Sequence, residues 1–181
     1  MNLVMLSIFA LGLAAGAGPV PVHGDAADVL AKIRALAGDW RGTYQWTGAI
    51  TDSGSMGATY TVTGKGSAIT ENLIQDGAPI MTTMYHLDGT DLRMTHYCGA
   101  QNQPRLKAER IDDAEGTVDF TFVDVTNLKS PAAAHVHGFQ LRFVDADHLV
   151  LKILFNVGEK RAVELITLAR VSKSSVPLLH Q

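Results

Sequence analysis

From Gly42 onward the apolar residues of this chain recur at every second position, in short runs separated by turn-forming residues. A period of two sends alternate side chains to opposite faces, and only a sheet with one dry face accommodates it. The runs are Gly42–Thr47, Ala58–Thr63, Ser67–Ile74, Ile80–Leu87, Asp91–Cys98, Arg105–Arg110, Thr117–Val123, Val136–Asp145, His148–Asn156 and Ala162–Val171. Between them stand Thr51–Ser55, Gly64–Gly66, Gln75–Gly77, Asp88–Gly89, Asp112–Asp113, Asp145–Asp147 and Gly158–Glu159, all rich in the residues that tight turns favour. Short connections make sequential neighbours antiparallel. A sheet of so many short strands has edges to hide, and closure removes them. The expected fold is therefore all-β, an antiparallel up-and-down barrel of about eight to ten strands, with a β-sandwich as the alternative.

One helix precedes the strands. Asp25 is placed as its N-cap, Val29, Leu30, Ile33 and Leu36 recur at helical spacing, and Gly38 ends it. Before it, Met1–Ala17 reads as a secretory signal, with an apolar core over Leu3–Ala15 and small residues Ala15-Gly16-Ala17 at the cut, although no Lys or Arg precedes the core. The stretch is short for a bilayer span, so no stable transmembrane segment is expected after cleavage. The division that follows is a signal peptide at 1–17, a linker at 18–24, a barrel domain at 25–171 and a loose tail at 172–181, in an exported protein, periplasmic or secreted. Cys98 is the single cysteine, which rules out an internal disulfide and reads as a small buried apolar residue.

Charge narrows the partners. The net charge is -3 and the 15 Lys and Arg are scattered, with no basic face for nucleic acid or an anionic membrane. Nearly half of the residues (46%) are hydrophobic, enough for a core of its own.

The Asp88-Gly89 turn allows faces to be assigned. A two- or four-residue loop pairs odd positions of the first strand with even positions of the second. Met81, Thr83, Tyr85 and Leu87 then share a face with Leu92, Met94, His96 and Cys98, and this more apolar face should point inward. The same alternation directs Leu106, Ala108, Val118, Phe120 and Phe122 inward, with Arg105, Lys107 and Glu109 outward. It places His135, His137, Phe139, Leu141 and Phe143 on one face. The candidate ligand-binding set is thus Thr83, Tyr85, Met94, His96, His135, His137 and Phe139. His96 is equally readable as a core residue bonded to Thr83 or Tyr85, since a buried polar group without a partner costs about 1–3 kcal/mol.

Catalytic and metal motifs are sparse. Gly64-Lys65-Gly66-Ser67 lacks the spacing of a phosphate loop and of a dinucleotide fingerprint, and no G-x-S-x-G elbow surrounds Ser53 or Ser55. The acidic pairs Asp112-Asp113 and Asp145-x-Asp147 sit at turns. His135-x-His137 is a weak metal or haem candidate, with His96 a third ligand only if the strands adjoin. Asn127–Ala134 (NLKSPAAA) is either a short helical lid over one barrel end or an ordinary crossover loop. Arg105, after the Asn102-Gln103-Pro104 corner, offers a fork for a carboxylate or braces the corner through backbone carbonyls, Glu71 or Asp91.

Gly38-Asp39-Trp40-Arg41-Gly42 after a short helix resembles the opening of lipocalin-like and other calycin barrels. The resemblance implies that Trp40 packs across the barrel base under an Arg. Met84-Tyr85-His86, Thr95-His96-Tyr97-Cys98 and Asn102-Gln103-Pro104-Arg105 resemble a set of exported bacterial proteins of unknown function with lipocalin-like barrels, a likeness extending over most of Leu36–Val171. Nitrobindin-type barrels, which carry haem, share the opening, but their late axial histidine has no clear counterpart at His135 or His137.

Three functions are consistent with these residues. The first is an exported binding protein that holds a small apolar or amphipathic molecule in its barrel. The second is a haem- or metal-binding barrel, or an enzyme, using cavity histidines. The third is a structural barrel filled by its own side chains, Phe120, Phe122, Phe139, Phe143 and Phe155 among them.

Overall fold

The computed structural model describes residues 24–172. The segments read as signal peptide, linker and tail lie outside them, apart from Gly24 and Ser172. Helix α1 (Ala26–Ala35) begins where expected, with the Asp25 side chain accepting from the Ala27 N–H at 2.8 Å. Its buried stripe is Val29, Leu30 and Ile33. No helix among the described residues is long and apolar enough to cross a membrane.

Ten strands follow: β1 Gly38–Gly48, β2 Asp52–Thr63, β3 Ala68–Gln75, β4 Ala78–Asp88, β5 Asp91–Tyr97, β6 Gln103–Asp112, β7 Thr117–Thr126, β8 His135–Phe143, β9 His148–Val157 and β10 Lys160–Arg170. Each pairs antiparallel with its sequence neighbours, and β1 pairs with β10 from Trp40↔Arg170 to Gly48↔Ala162. The result is a closed up-and-down barrel, not a sandwich, and no two candidate strands merge. β1 and β2 are longer than expected. The Gly38–Arg41 segment is already strand, and Asp52–Ser55 continues β2 into what reads locally as a turn.

The parity argument holds across the Asp88–Asp91 hairpin. Tyr85 faces Met94 and Thr83 faces His96, and all four are buried. Arg105 also points outward, but its partner differs from those expected. It forks onto Asp124 of β7, with Nε donating at 2.6 Å and Nη2 at 2.5 Å. A register shift between Arg105 and Leu106 brings the two opposite one another. The pair is exposed, so it aligns β6 with β7 and contributes little to stability.

One face assignment fails. The β8–β9 register jumps between Val136 and Gly138. This bulge uses up one residue, so parity reverses through it. Val136 takes the buried position, while His137 is exposed. The expected common face for His135, His137 and Phe139 therefore does not exist. The 127–134 connection is also not a helix. It is a series of bends and turns at the barrel end opposite α1, held by Asn102 Nδ2 donating to the Ala134 carbonyl at 2.8 Å and by Gly158 N–H donating to the Ala132 carbonyl at 3.2 Å.

The α1 end is sealed. Trp40 is buried there, donating its indole N–H to the Leu36 carbonyl at 2.8 Å. The Arg170 guanidinium lies 4.4 Å from the centre of that ring and donates to the Ala35 and Ala37 carbonyls at the helix C-terminus. One cation thus answers the negative helix end and the aromatic face together.

Candidate functional site

Above the Trp40 seal the barrel is packed. Ile69, Leu106, Phe120, Phe139, Leu141, Leu151, Ile153 and Ile166 fill its middle and are almost wholly inaccessible. Within this apolar filling lies one polar chain. Glu71 of β3 stands at an inward position between Ile69 and Leu73. Its Oε2 accepts from Tyr60 at 2.7 Å and from Tyr85 at 2.9 Å, and its Oε1 faces the Thr83 hydroxyl at 3.4 Å. Thr83 Oγ1 in turn lies 2.9 Å from His96 Nδ1. Burial raises the Glu71 pKa above the ordinary carboxylate range, and the three hydroxyls oppose that shift. Burial also lowers His96 to about 4, so its imidazole is neutral at physiological pH. Among the described residues His96 Nε2 has no hydrogen-bond partner.

Thr83, Tyr85, Met94, His96 and Phe139 therefore belong to a filled core. Tyr85 and Thr83 are committed to Glu71, and Phe139 packs against both Phe120 and His96. His96 bonds Thr83, as the core reading required. The interior is not the open, histidine-decorated cavity that sequence parity implies.

The open space is at the far end. A pocket of about 290 Å³ lies where β1, β2, β4, β9 and β10 end beneath the 127–134 connection. Ile50, Ile80, Met81, Phe155 and Trp46 give it apolar walls, and Cys98 and Ala134 also line it. Trp46 and Phe155 hold their ring centres 4.8 Å apart. Its polar residue of consequence is Glu164, on β10. The alternation Ala162, Glu164, Ile166, Leu168 sends this carboxylate inward, and it is 1% exposed. Glu164 Oε2 has no hydrogen-bond partner among the described residues. Burial pushes its pKa up to about 7, which the Trp46 indole partly offsets and the Asp52 charge reinforces. Asp52 also lines the pocket, accepting from the Tyr44 hydroxyl at 2.8 Å. Burial raises the Cys98 thiol as well, so it is not an activated nucleophile.

No sequence motif marks Glu164, and Glu71, expected only as a possible partner of Arg105, instead meets Tyr60, Tyr85 and Thr83 inside the barrel. The signal was present: each is a charge at an inward position of an otherwise apolar alternation. Such a charge is costly unless paired, and thus informative.

His135 and His137 gather at a third place, around Phe122, beyond the last β7–β8 pair at Thr121↔Gly138. Phe122 stacks on His137 at 4.9 Å and meets His135 at 5.5 Å, and the two imidazoles are 5.9 Å apart. His135 Nδ1 is held at 2.9 Å from the Ala133 carbonyl. His137 borders a groove on the outer wall with Asp119, Gln140, Lys152 and Leu154. Among the described residues no three His, Cys, Asp or Glu side chains gather as a metal site would need. The pocket lining offers no histidine, so a haem held by cavity histidines does not fit this pocket.

Fold and site together define a closed, ten-stranded lipocalin-like barrel, sealed at the helix end and with a pocket at its mouth. No family profile and no curated protein matches the chain. Solved structures do. A protein of unknown function from the DUF3598 family of Nostoc punctiforme superposes with a TM-score of 0.54 at 16% identity, over 87% of this chain and 53% of that one. The present chain thus spans about half the length of that relative. Rv2717c from M. tuberculosis superposes with a TM-score of 0.52 at 14% identity, over 81% of this chain and 98% of that one. The S-type phycobiliprotein lyase CPES from Guillardia theta gives a looser match, with a TM-score of 0.45 at 8% identity over 80% of this chain and 93% of that one. At these identities the likeness is one of fold.

Proposed function

We propose that this protein binds a small amphipathic molecule at the barrel mouth, with the apolar part against Trp46, Met81 and Phe155 and the polar end at Glu164. The observation that carries this reading is an almost wholly buried carboxyl, one of whose oxygens has no partner among the described residues, in the wall of an otherwise apolar pocket. Leaving such a group unsatisfied costs about 1–3 kcal/mol, and a ligand that supplies the missing partner recovers it. The pocket volume is near the lower end of the usual range of roughly 300–1,000 Å³, which favours a small ligand. The packed middle of the barrel allows no deeper insertion. Apolar burial at about 25 cal/mol per Å² supplies most of the affinity, and Glu164 sets orientation.

Export belongs to the same proposal. An apolar stretch followed by Ala15-Gly16-Ala17 supports a cleaved leader and a periplasmic or secreted protein. N-terminal sequencing of the mature chain checks this, and a chain retaining Met1 in the cytoplasm refutes it.

Binding is tested with Nile red, a neutral apolar dye whose emission rises in a dry site. Saturable enhancement with the full chain, abolished by Ala134→Trp, supports the mouth pocket. The Ala134 carbonyl bond to Asn102 is a backbone contact, so this substitution fills the space without removing it. No enhancement, or enhancement that Ala134→Trp leaves intact, refutes it.

A further inference from the structure

The charged residues that line the mouth pocket are of one sign. Two carboxylates, Glu164 and Asp52, line the pocket, and no Lys, Arg or His among the described residues does. An anionic amphipath such as a fatty acid would bring a further negative charge beside Asp52 and the partly ionised Glu164, with no cation in the lining to pair it. Three aromatic side chains, Tyr44, Trp46 and Phe155, stand in the same lining. Their ring faces attract cations. From β1, β2 and the residue following β5, the titratable groups facing Glu164 are Tyr44, Asp52 and Cys98; none is cationic near neutral pH, and Ile153 faces it from β9.

Resting on the binding function proposed above, we infer that the mouth pocket selects a hydrophobic amine, bound as its ammonium, with the N–H groups donating to Glu164 Oε2 and the cation held against the Trp46 and Phe155 rings. The carboxylate whose partner is missing accepts the hydrogen bond, Asp52 adds a second negative charge nearby, and the alkyl or aryl part covers Met81, Ile50 and Ile80. A neutral alcohol satisfies the same oxygen without the charge. A carboxylate ligand is rejected.

The test compares n-octylamine, 1-octanol and octanoate, which share an eight-carbon chain, by calorimetry and by displacement of Nile red from the full chain. A charge-assisted hydrogen bond is worth about 1.5–3 kcal/mol, so octylamine should bind roughly ten- to a hundredfold more tightly than octanol in the wild type. Glu164→Gln should bring the two within about threefold of each other, and Asp52→Asn should reduce the preference in part. Octylamine affinity should also rise with pH from 5.5 to 7.5 as the bound ammonium holds Glu164 ionised, while octanol affinity does not. Equal binding of all three, a preference for octanoate, or an amine preference untouched by Glu164→Gln overturns the amine inference and leaves the mouth pocket intact as an amphipath site. Failure of all three and of Nile red to bind removes the pocket reading itself, and the inference with it.

Discussion

Replacing Glu164 with Gln should change how stability depends on pH. In the unfolded chain this carboxyl titrates near 4.5, and in the fold burial moves it to about 7. The folded state thus holds the proton more tightly, so stability falls as pH rises between those values. One pKa unit corresponds to about 1.4 kcal/mol, and a shift of about 2.5 units gives a loss of about 3 kcal/mol from pH 4.5 to pH 7. The wild-type curve combines it with other slopes. His96 is lowered from 6.5 to about 4, so the fold resists its protonation and loses about 3 kcal/mol as pH falls through that window. The two slopes oppose each other between about pH 4.5 and 6.5, and the buried Glu71 carboxyl, also raised, adds to the Glu164 slope. Glu164→Gln removes the Glu164 slope alone. Urea unfolding at pH 5, 6, 7 and 8 should show the variant gaining on the wild type by about 1 kcal/mol per unit up to pH 7, then levelling. The new amide adds a constant offset, because Gln does not titrate. His96→Gln should show the mirror image, losing ground relative to wild type toward neutral pH. A Glu164→Gln difference that stays flat within about 0.5 kcal/mol from pH 5 to 8 would show that the carboxyl is hydrated in the fold, and would refute the argument that it is buried and unpartnered.

Gly42→Ala should destabilise by more than about 3 kcal/mol, read by urea unfolding, because a Cβ there would lie 1.7 Å from the Thr167 carbonyl oxygen of the paired strand, which is backbone and cannot step aside. Arg170→Ala should cost about 2 kcal/mol by removing the cation from Trp40 and the donors from the α1 carbonyls, and Arg170→Lys should recover only part of it; thermal melts distinguish the three. Glu71→Leu should cost about 2–4 kcal/mol because it strands the Tyr60 and Tyr85 hydroxyls together. Tyr60→Phe should cost only about 1 kcal/mol alone, and once Glu71→Leu has removed the shared acceptor it should become nearly neutral, a coupling that a double-mutant cycle in urea measures.

Much of the fold was legible because barrel formation repeats one local rule. Alternation along Ile80–Leu87 and Asp91–Cys98, with a turn between them, fixed the faces of Thr83, Tyr85, Met94 and His96 correctly. Trp40 at the base was implied by the resemblance of its Gly-flanked pattern to the opening of calycin barrels. That its covering cation is Arg170 was not legible, because β10 meets β1 only when the barrel closes across the length of the chain. Alternation failed at His137, where one extra residue in a bulge turned the side chain outward; a bulge is a property of two strands in register and leaves no mark in either alone. It also could not tell an inward residue from one beside empty space. Thr83 and His96 point inward into filled core, while Glu164, equally inward, borders the pocket.

The sequence by itself determined the strand period, the turns and the side of the sheet most residues take, since those depend on backbone geometry and the dryness of one face. Only the tertiary structure decided that Glu71 finds three hydroxyls while Glu164 Oε2 finds none. Partners for a buried charge come from strands far apart in the chain, and no local pattern specifies which of them meet.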